Sequence, residues 1–347
     1  MISMKDISEA CGVSIATVSK ALNGHKDISP ETKERIRQAA KEMGYFPNSA
    51  AQTLKTHRTY NIGVLFTDES QSGLTHDYFA HVLDSFKNTA EEKGYDITFI
   101  NSCKSRPRKM SYLAHARYRG FDGVVIACVD FDDPEVNELV KSELPVVTID
   151  HLFNNRSAIV SDNVKGMKDL VQHIYEMGHR KIAYIHGSAS AVTQSRLSSF
   201  HRTCEELKLN IPAEYLREAP YRNTQGAYEE TLKLLALPVP PTCIIYPDDF
   251  SCFGGISALN AKGLKIPDDI SIAGYDGIGL ARNFQPPLTT IIQNTKQLGL
   301  AAADKLISLI ESPKTALTEQ VIIPGEVFPG GTVKRMDSPE KGAHPSL

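Results

Sequence analysis

The chain contains no tryptophan, and only 7% of its 347 residues are aromatic. Its six cysteines are Cys11, Cys103, Cys128, Cys204, Cys243 and Cys252, with no C-x-x-C pair among them. That spacing excludes a disulfide scaffold and a cysteine zinc site. Most lie in apolar runs and read as small buried hydrophobes in reducing surroundings. No apolar run reaches the length that spans a bilayer. Met1-Ile2-Ser3-Met4-Lys5 leads directly into a helical pattern rather than a signal peptide, so a cytoplasmic location is expected, with no membrane partner. Catalytic signatures are missing as well: no G-x-S-x-G elbow, no H-E-x-x-H, no Walker loop and no G-x-G-x-x-G after the first body strand. His173 and His179 stand six apart across a helix end, the wrong spacing for one metal-binding face. No enzymatic activity, metal or cofactor is expected.

What is present is a folded, mixed chain. Apolar residues make up 41% of it, and its length suits two or three domains rather than one core. The net charge of −3 argues by itself against a nucleic-acid binder, but its distribution argues the other way. Residues 1–58 hold nine lysines and arginines against six acids, which leaves 29 bases against 35 acids in the remainder. A basic head on an acidic body orients a molecule toward phosphate.

The head contains the stretch around which the rest is organised, Ile7 to Leu22. Ile7 and Ala10 give a first helix its apolar face, Gly12 supplies a turn, and Val13 plugs the space between two helices. Ser14 is a good N-cap for a second helix. Val18 and Leu22, four apart, point inward, which leaves Ile15, Ala16, Thr17, Ser19 and Lys20 largely outside. Small, polar and basic residues at the start of a second helix are what a helix-turn-helix presents to a major groove. An ordinary α-hairpin is the alternative. A third helix opens at Ser29-Pro30-Glu31, carries Ile36, Ala39, Ala40 and Met43 on one stripe, and ends at Gly44.

Residues 3 to 54 resemble the DNA-binding headpiece and hinge of the lactose-repressor (LacI/GalR) family of bacterial transcription regulators. The matching words are Ile7 to Ala10, Gly12-Val13-Ser14, Thr17-Val18-Ser19-Lys20, Leu22-Asn23, Glu42-Met43-Gly44-Tyr45, Pro47-Asn48, Ala51-Gln52 and Leu54. The resemblance implies DNA contacts from Ser14, Ile15, Ala16, Thr17, Ser19, Lys20 and Asn23, and from Asn48, Ala51 and Leu54 of a hinge. In the family that hinge becomes helical only on operator, and Leu54 matches the residue wedged into the minor groove. The alternative for Leu54 is packing on the body.

From Tyr60 onward short apolar runs alternate with helical spacing, the order that builds parallel sheets. Strands are expected at 60–66, 97–100, 123–128, 146–149, 181–186, 242–246, 271–275, 289–292 and 319–323. Helices are expected at 79–93, 108–119, 164–177, 191–207, 225–235, 250–261 and 296–310. His173 with Gly178-His179-Arg180-Lys181-Ile182, Pro247-Asp248-Asp249, Pro267 to Asp276 and Pro287-Leu288-Thr289-Thr290-Ile291 extend the resemblance over nearly the whole chain. The fold class expected is α/β: an all-α helix-turn-helix headpiece plus a two-lobed, type I periplasmic-binding-protein-like core with parallel sheets. The expected domains are a headpiece at 1–46, a hinge helix and linker at 47–59 and a core at 60–331. Lobe 1 covers about 60–160 and 291–320, and lobe 2 about 161–290 and 321–331, with crossings near Ser161, Thr290 and residue 320. A disordered tail is expected at 332–347.

In two-lobed α/β proteins, ligands bind where strand C-termini face helix N-termini across the cleft. Asp150, Asp248 and Asp276 each follow an apolar strand and can accept hydrogen bonds from hydroxyls; an N-cap is the alternative for each. The family motif places a ligand-contacting aspartate at Asp276. Family ligand positions also fall on Arg196, Tyr221 and Gln293, although Ser199 stands where the family usually has glycine, which puts the local packing around Arg196 in doubt. Tyr221 matches a stacking aromatic, with a core tyrosine as the alternative. Asp77, Tyr78 and Phe79 are candidates for the other wall, while Asp68 and Glu69 read as a solvated loop. Several carboxylates, one arginine and an aromatic suit a neutral polyhydroxyl compound. The expectation is a homodimeric repressor that binds a pseudo-palindromic double-stranded operator and senses a sugar or similar small polar metabolite. A periplasmic sugar-binding protein is contradicted by the headpiece, and a dehydrogenase or sugar-processing enzyme by the missing phosphate loop and nucleophile.

Overall fold

The computed structural model describes residues 2–46, 58–67, 72–101 and 110–336. It divides into two compact units, Met1–Thr59 and Tyr60–Leu347. Asn48, Ala51, Leu54, Asp68, Glu69 and Cys103 lie outside the described residues, as do most of the expected hinge and the end of the tail.

The first unit is three helices: α1 (Met4–Cys11), α2 (Ile15–Leu22) and α3 (Pro30–Glu42). Ser3 and Asp6 cap α1 reciprocally, the Asp6 N–H reaching Ser3 Oγ and the Ser3 N–H reaching Asp6 Oδ2. Gly12 ends α1 in the left-handed region at φ 63°, and Ser14 Oγ accepts from the Thr17 N–H to start α2. Ile7, Val18, Ala21, Ile36 and Ala40 form the buried core. Two apolar expectations shift. Ala10 is exposed and Leu22 only half-buried, because Ala21 is the residue that α2 turns fully inward.

The second unit has two lobes. The lobe 1 sheet is entirely parallel, in the order β11-β5-β4-β3-β1-β2. Its strands are β1 (Asn61–Phe66), β2 (Asp96–Phe99), β3 (Gly123–Ala127), β4 (Val146–Ile149), β5 (Ser157–Ser161) and β11 (Gln320–Ile323). All five residues of β3 are buried, as expected for a strand covered on both faces. Helices α4 (Asp77–Glu92) and α12 (Thr295–Glu311) cover one face through Val82, Phe86, Leu298, Ala302 and Leu306. Helices α5 (Tyr112–Arg119) and α6 (Pro134–Lys141) cover the other through Leu113, Ala116, Val136 and Leu139. The α4–α12 crossing is tight at Gly299, where a Cβ would meet Val82 O and come within 2.7 Å of Phe86 N.

Lobe 2 carries a parallel sheet in the order β7-β6-β8-β9. Its strands are β6 (Ile182–His186), β7 (Leu216–Glu218), β8 (Cys243–Ile245) and β9 (Ser271–Ala273). One face packs on α7 (Asn163–Glu176) and α8 (Ala191–Glu206). The other packs on α9 (Thr224–Leu235) and α10 (Asp249–Ala261), with the short α11 (Gly279–Arg282) beside them. An antiparallel ribbon of β10 (Thr290–Ile292) and β12 (Glu326–Phe328) accompanies the crossings.

Three boundaries differ from the sequence expectation. β11 remains in the lobe 1 sheet, Gln320 to Ile323 pairing with Ala158 to Ser161, so the third crossing follows Ile323 rather than residue 320. β5, β7, β12, α6 and the short α11 are additional elements; α6 carries its own start signal in the Asp133 cap and Pro134 at the first turn. Residues 332–336 are packed rather than disordered. Thr332 and Val333 are buried, Thr332 Oγ1 accepts from the Thr289 N–H at 2.8 Å and donates to Ile272 O at 2.8 Å, and the Met336 N–H donates to Met177 O. Cys204, Cys243 and Cys252 are buried and free, and burial pushes the Cys204 thiol up to about 12. Cys11 and Cys128 are only half-buried. No helix among the described residues is long and apolar enough to cross a membrane.

Candidate nucleic-acid interface and ligand cleft

Within the first unit, α2 exposes only part of the expected face. Ile15 is 50% exposed and Ala16 and Lys20 are exposed, whereas Thr17 and Ser19 are partly covered. Ser14 Oγ is engaged by the Thr17 N–H and hydroxyl, and Asn23 Nδ2 donates to Ser19 O at 2.6 Å. Ser14, Thr17 and Asn23 therefore shape the helix ends, while Ile15, Ala16 and Lys20 remain accessible. Lys20 Nζ lies 2.5 Å from Asp27 Oδ2, and both side chains are about half exposed. That exposed pair is exchangeable, because surface ion pairs contribute little.

Within the second unit, a cavity of about 380 Å³ lies between the lobes. Every expected ligand residue lines it: Phe79 and Asp150 from lobe 1, and Arg196, Tyr221, Asp248, Asp276 and Gln293 from lobe 2 and the crossing after β10. Tyr78 also lines it, but Asp77 does not.

Arg196, on α8, is 4% exposed and fixed on several sides. Its Nε donates to Asn163 Oδ1 at 2.7 Å and its Nη1 to Pro247 O at 2.9 Å. The guanidinium lies 3.5 Å from the Tyr275 ring centroid. Its Nη2 stands 3.9 Å from Asp276 Oδ1. The serine at 199 is absorbed without displacing the arginine, its hydroxyl donating to Val164 O at 2.6 Å. Asp276 sits at φ 106°, where its backbone N–H donates to Ile291 O and its Oδ1 accepts from Gln293 Nε2 at 2.7 Å. Burial drives the Asp276 carboxyl up to about 7, against the opposing pull of Arg196.

The other two aspartates are more fully engaged. Asp248 caps α10: Oδ1 accepts from the Ser251 N–H, and Oδ2 accepts from the Ser251 hydroxyl and the Arg222 N–H. Asp150 accepts from the Tyr78 hydroxyl at 2.7 Å and from the Ser161 N–H at 2.8 Å. Burial and the Asp150 charge push the Tyr78 hydroxyl well above its usual value, so it stays a donor. Tyr221 is held by its hydroxyl against Thr193 Oγ1 at 2.9 Å.

The lining residues to which no sequence signal pointed include Phe131, His151, Arg222 and Cys128. Phe131 and His151 stack with ring centroids 4.0 Å apart and planes 7° apart. Asn163, which orients Arg196, follows β5, a strand the sequence did not announce. The described residues contain no cluster of three or more metal-ligating side chains.

The comparisons with known proteins match both units. The description "Bacterial regulatory proteins, lacI family" matches residues 3–48, and "Periplasmic binding protein-like domain" matches residues 171–333. The HTH-type transcriptional repressor PurR of Histophilus somni (strain 129Pt) is 32% identical over 314 residues, 89% of this chain and 92% of that protein. The chain belongs to the LacI family of bacterial regulatory proteins. The family also includes PurR of Mannheimia succiniciproducens, 30% identical over 97% of this chain and 100% of that protein. The probable repressor ExuR of Bacillus subtilis is 28% identical over 97% of this chain and 99% of its own length. Among solved structures, the lac repressor dimer bound to operator and the anti-inducer ONPF superposes with a TM-score of 0.81 at 23% identity, covering 96% of this chain and 99% of that one. The CelR–cellobiose complex gives 0.70 at 21% identity, over 96% and 100% of the two chains. The chain is thus a LacI-family transcriptional repressor with a DNA-binding headpiece and a ligand-binding body, not an enzyme.

Proposed function

We propose that the protein acts as a homodimer, with two headpieces reading a pseudo-palindromic operator and a cleft that senses a sugar or related hydroxylated metabolite. The observation that carries this is the buried Arg196–Asp276–Gln293 set in the cavity of a chain whose α2 exposes Ile15, Ala16 and Lys20. Ile15 and Ala16 suit thymine methyl groups and Lys20 suits guanine O6 and N7. Ser14, Thr17, Ser19 and Asn23 support the helix against phosphate. Asn48, Ala51 and Leu54 belong to the hinge, where Leu54 wedges a base step open and kinks the duplex.

In the cleft, Arg196, Asp276 and Gln293 take ligand hydroxyls, Tyr221 and Phe79 cover its apolar faces, and Asp150 and Asp248 hold the walls. Relatives of this fold solved with cellobiose or with ribose support a sugar-like effector. A ligand that touches both lobes shifts their arrangement only through a difference in affinity for the two arrangements. Selection of bound duplexes from a random pool, followed by anisotropy titrations with and without aldoses and their derivatives, tests the reading. A two-fold symmetric site and an affinity that changes with at least one compound are expected. An asymmetric single half-site contradicts the dimer, and operator affinity indifferent to every compound contradicts the sensing role.

A further inference from the structure

Arg222 lines the same cavity from the turn between β7 and α9. It sits in the left-handed region at φ 58°, anchored by its backbone N–H to Asp248 Oδ2 at 2.8 Å. Its guanidinium carbon lies 4.5 Å from the Phe250 ring centroid, and its Nε donates to Ser72 Oγ at 3.1 Å across the lobes. Its Nη1 and Nη2 meet no acceptor among the described residues. An arginine fixed at its ring face and at Nε presents its remaining edge as a preorganised fork, the geometry that matches a planar or tetrahedral oxyanion.

The acids of the cavity do not fill that fork. Asp248 is taken up by Ser251 and the Arg222 backbone, Asp150 by Tyr78 and Ser161, and Asp276 by Gln293 and Arg196. The first turn of α8 adds to the same positive character. Ala191 and Val192 line the cavity, and their N–H groups, in the first turn, have no acceptor within the helix; the Ser190 hydroxyl serves the Thr193 N–H. Tyr221, one residue before Arg222, is bonded to Thr193 of that turn. The other polar part of the cavity has the opposite demand. Gln293 is 7% exposed and its Oε1 is buried without a partner, beside the Asp276 carboxylate, so hydroxyl donors fit there.

We propose that the effector is an acidic sugar-like compound: a polyhydroxylated metabolite whose carboxylate or phosphate is held by Arg222 with the first-turn amides of α8. This rests on the cleft being the effector site, and it reverses the expectation of a neutral compound, which counted Arg196 but not Arg222.

The test is calorimetry and operator anisotropy on the full chain with glucose and galactose, the corresponding uronates and the corresponding 6-phosphates. The acidic members are expected to bind more tightly than their neutral parents, the two acidic arms deciding between carboxylate and phosphate. Arg222→Gln should lower acidic affinity roughly ten-fold or more while leaving neutral affinity nearly unchanged, and Arg222→Lys should restore part of it. The acid-to-neutral ratio in the unmutated chain tests the idea even if a variant folds poorly. Neutral sugars that bind as well as acidic ones, or acidic binding indifferent to Arg222→Gln, overturn the acidic assignment and leave the cleft standing as effector site. No binding and no operator response to any compound overturns both.

Discussion

Arg196 Nη2 and Asp276 Oδ1 face each other at 3.9 Å, in side chains only 4% and 13% exposed. The distance is too long for a direct hydrogen bond, and each partner is satisfied elsewhere, Arg196 by Asn163 and Pro247 and Asp276 by Gln293. A donor and acceptor held apart in this way can both bond a ligand hydroxyl that bridges them from the cavity side.

Removing Arg196 should harm folding as well as binding. Arg196→Met leaves the Asp276 carboxyl and Asn163 Oδ1 without their cation and donor, and loss of one partner from a buried pair costs about 3–5 kcal/mol. Urea unfolding should show that loss. A variant as stable as the parent would mean that the network carries no structural role.

Asp276 should give the protein a pH signature. Its carboxyl is raised by burial from 3.8 to about 7, so the folded chain binds this proton more tightly than the unfolded one. That stabilising contribution is complete below about 3.8 and is lost as pH rises to about 7. Melting curves at pH 5 and pH 8 should therefore diverge more for the parent than for Asp276→Asn, which keeps an acceptor for Gln293. An equal change in both proteins would contradict the assignment.

How much of this was legible depended on how local each signal was. The α2 cap at Ser14, the Pro30 start of α3 and the fully buried β3 run are written in consecutive residues and emerged as read. Asp276 was legible because it ends a recognisable run from Pro267. β5 was not: Ser157 to Ser161 is short and serine-flanked, and becomes a strand only between β4 and β11. The Tyr78–Asp150–Ser161 bonds join positions 72 and 83 residues apart, which no spacing rule announces. Arg222 carries no motif, and its place in the cleft comes from a left-handed turn and a cap bond to a distant aspartate.

Lys20→Ala should cost roughly 1–3 kcal/mol on the selected operator while leaving non-specific binding nearly intact. Because the Lys20–Asp27 pair is exposed, headpiece melting should change little. Equal losses on specific and random duplex would reduce Lys20 to a phosphate contact.

Gly299→Ala should destabilise the body by about 1–3 kcal/mol, because the new methyl meets the backbone of α4 at Val82 and Phe86 rather than a movable side chain. Chemical unfolding of the full chain reads this directly, and an unchanged midpoint would show that the two helices part without cost.

The measurement that tests the account most directly is operator affinity of the full chain with and without a compound shown by calorimetry to bind it, in the parent and in Asp276→Ala. The account predicts a change in parental operator affinity of roughly 5–150-fold, the usual span of coupling between two sites. It predicts no ligand response in Asp276→Ala at the same compound concentration. A full response in that variant would place the effector outside this cleft, and an unchanged parental affinity with the compound bound would uncouple the cleft from DNA binding.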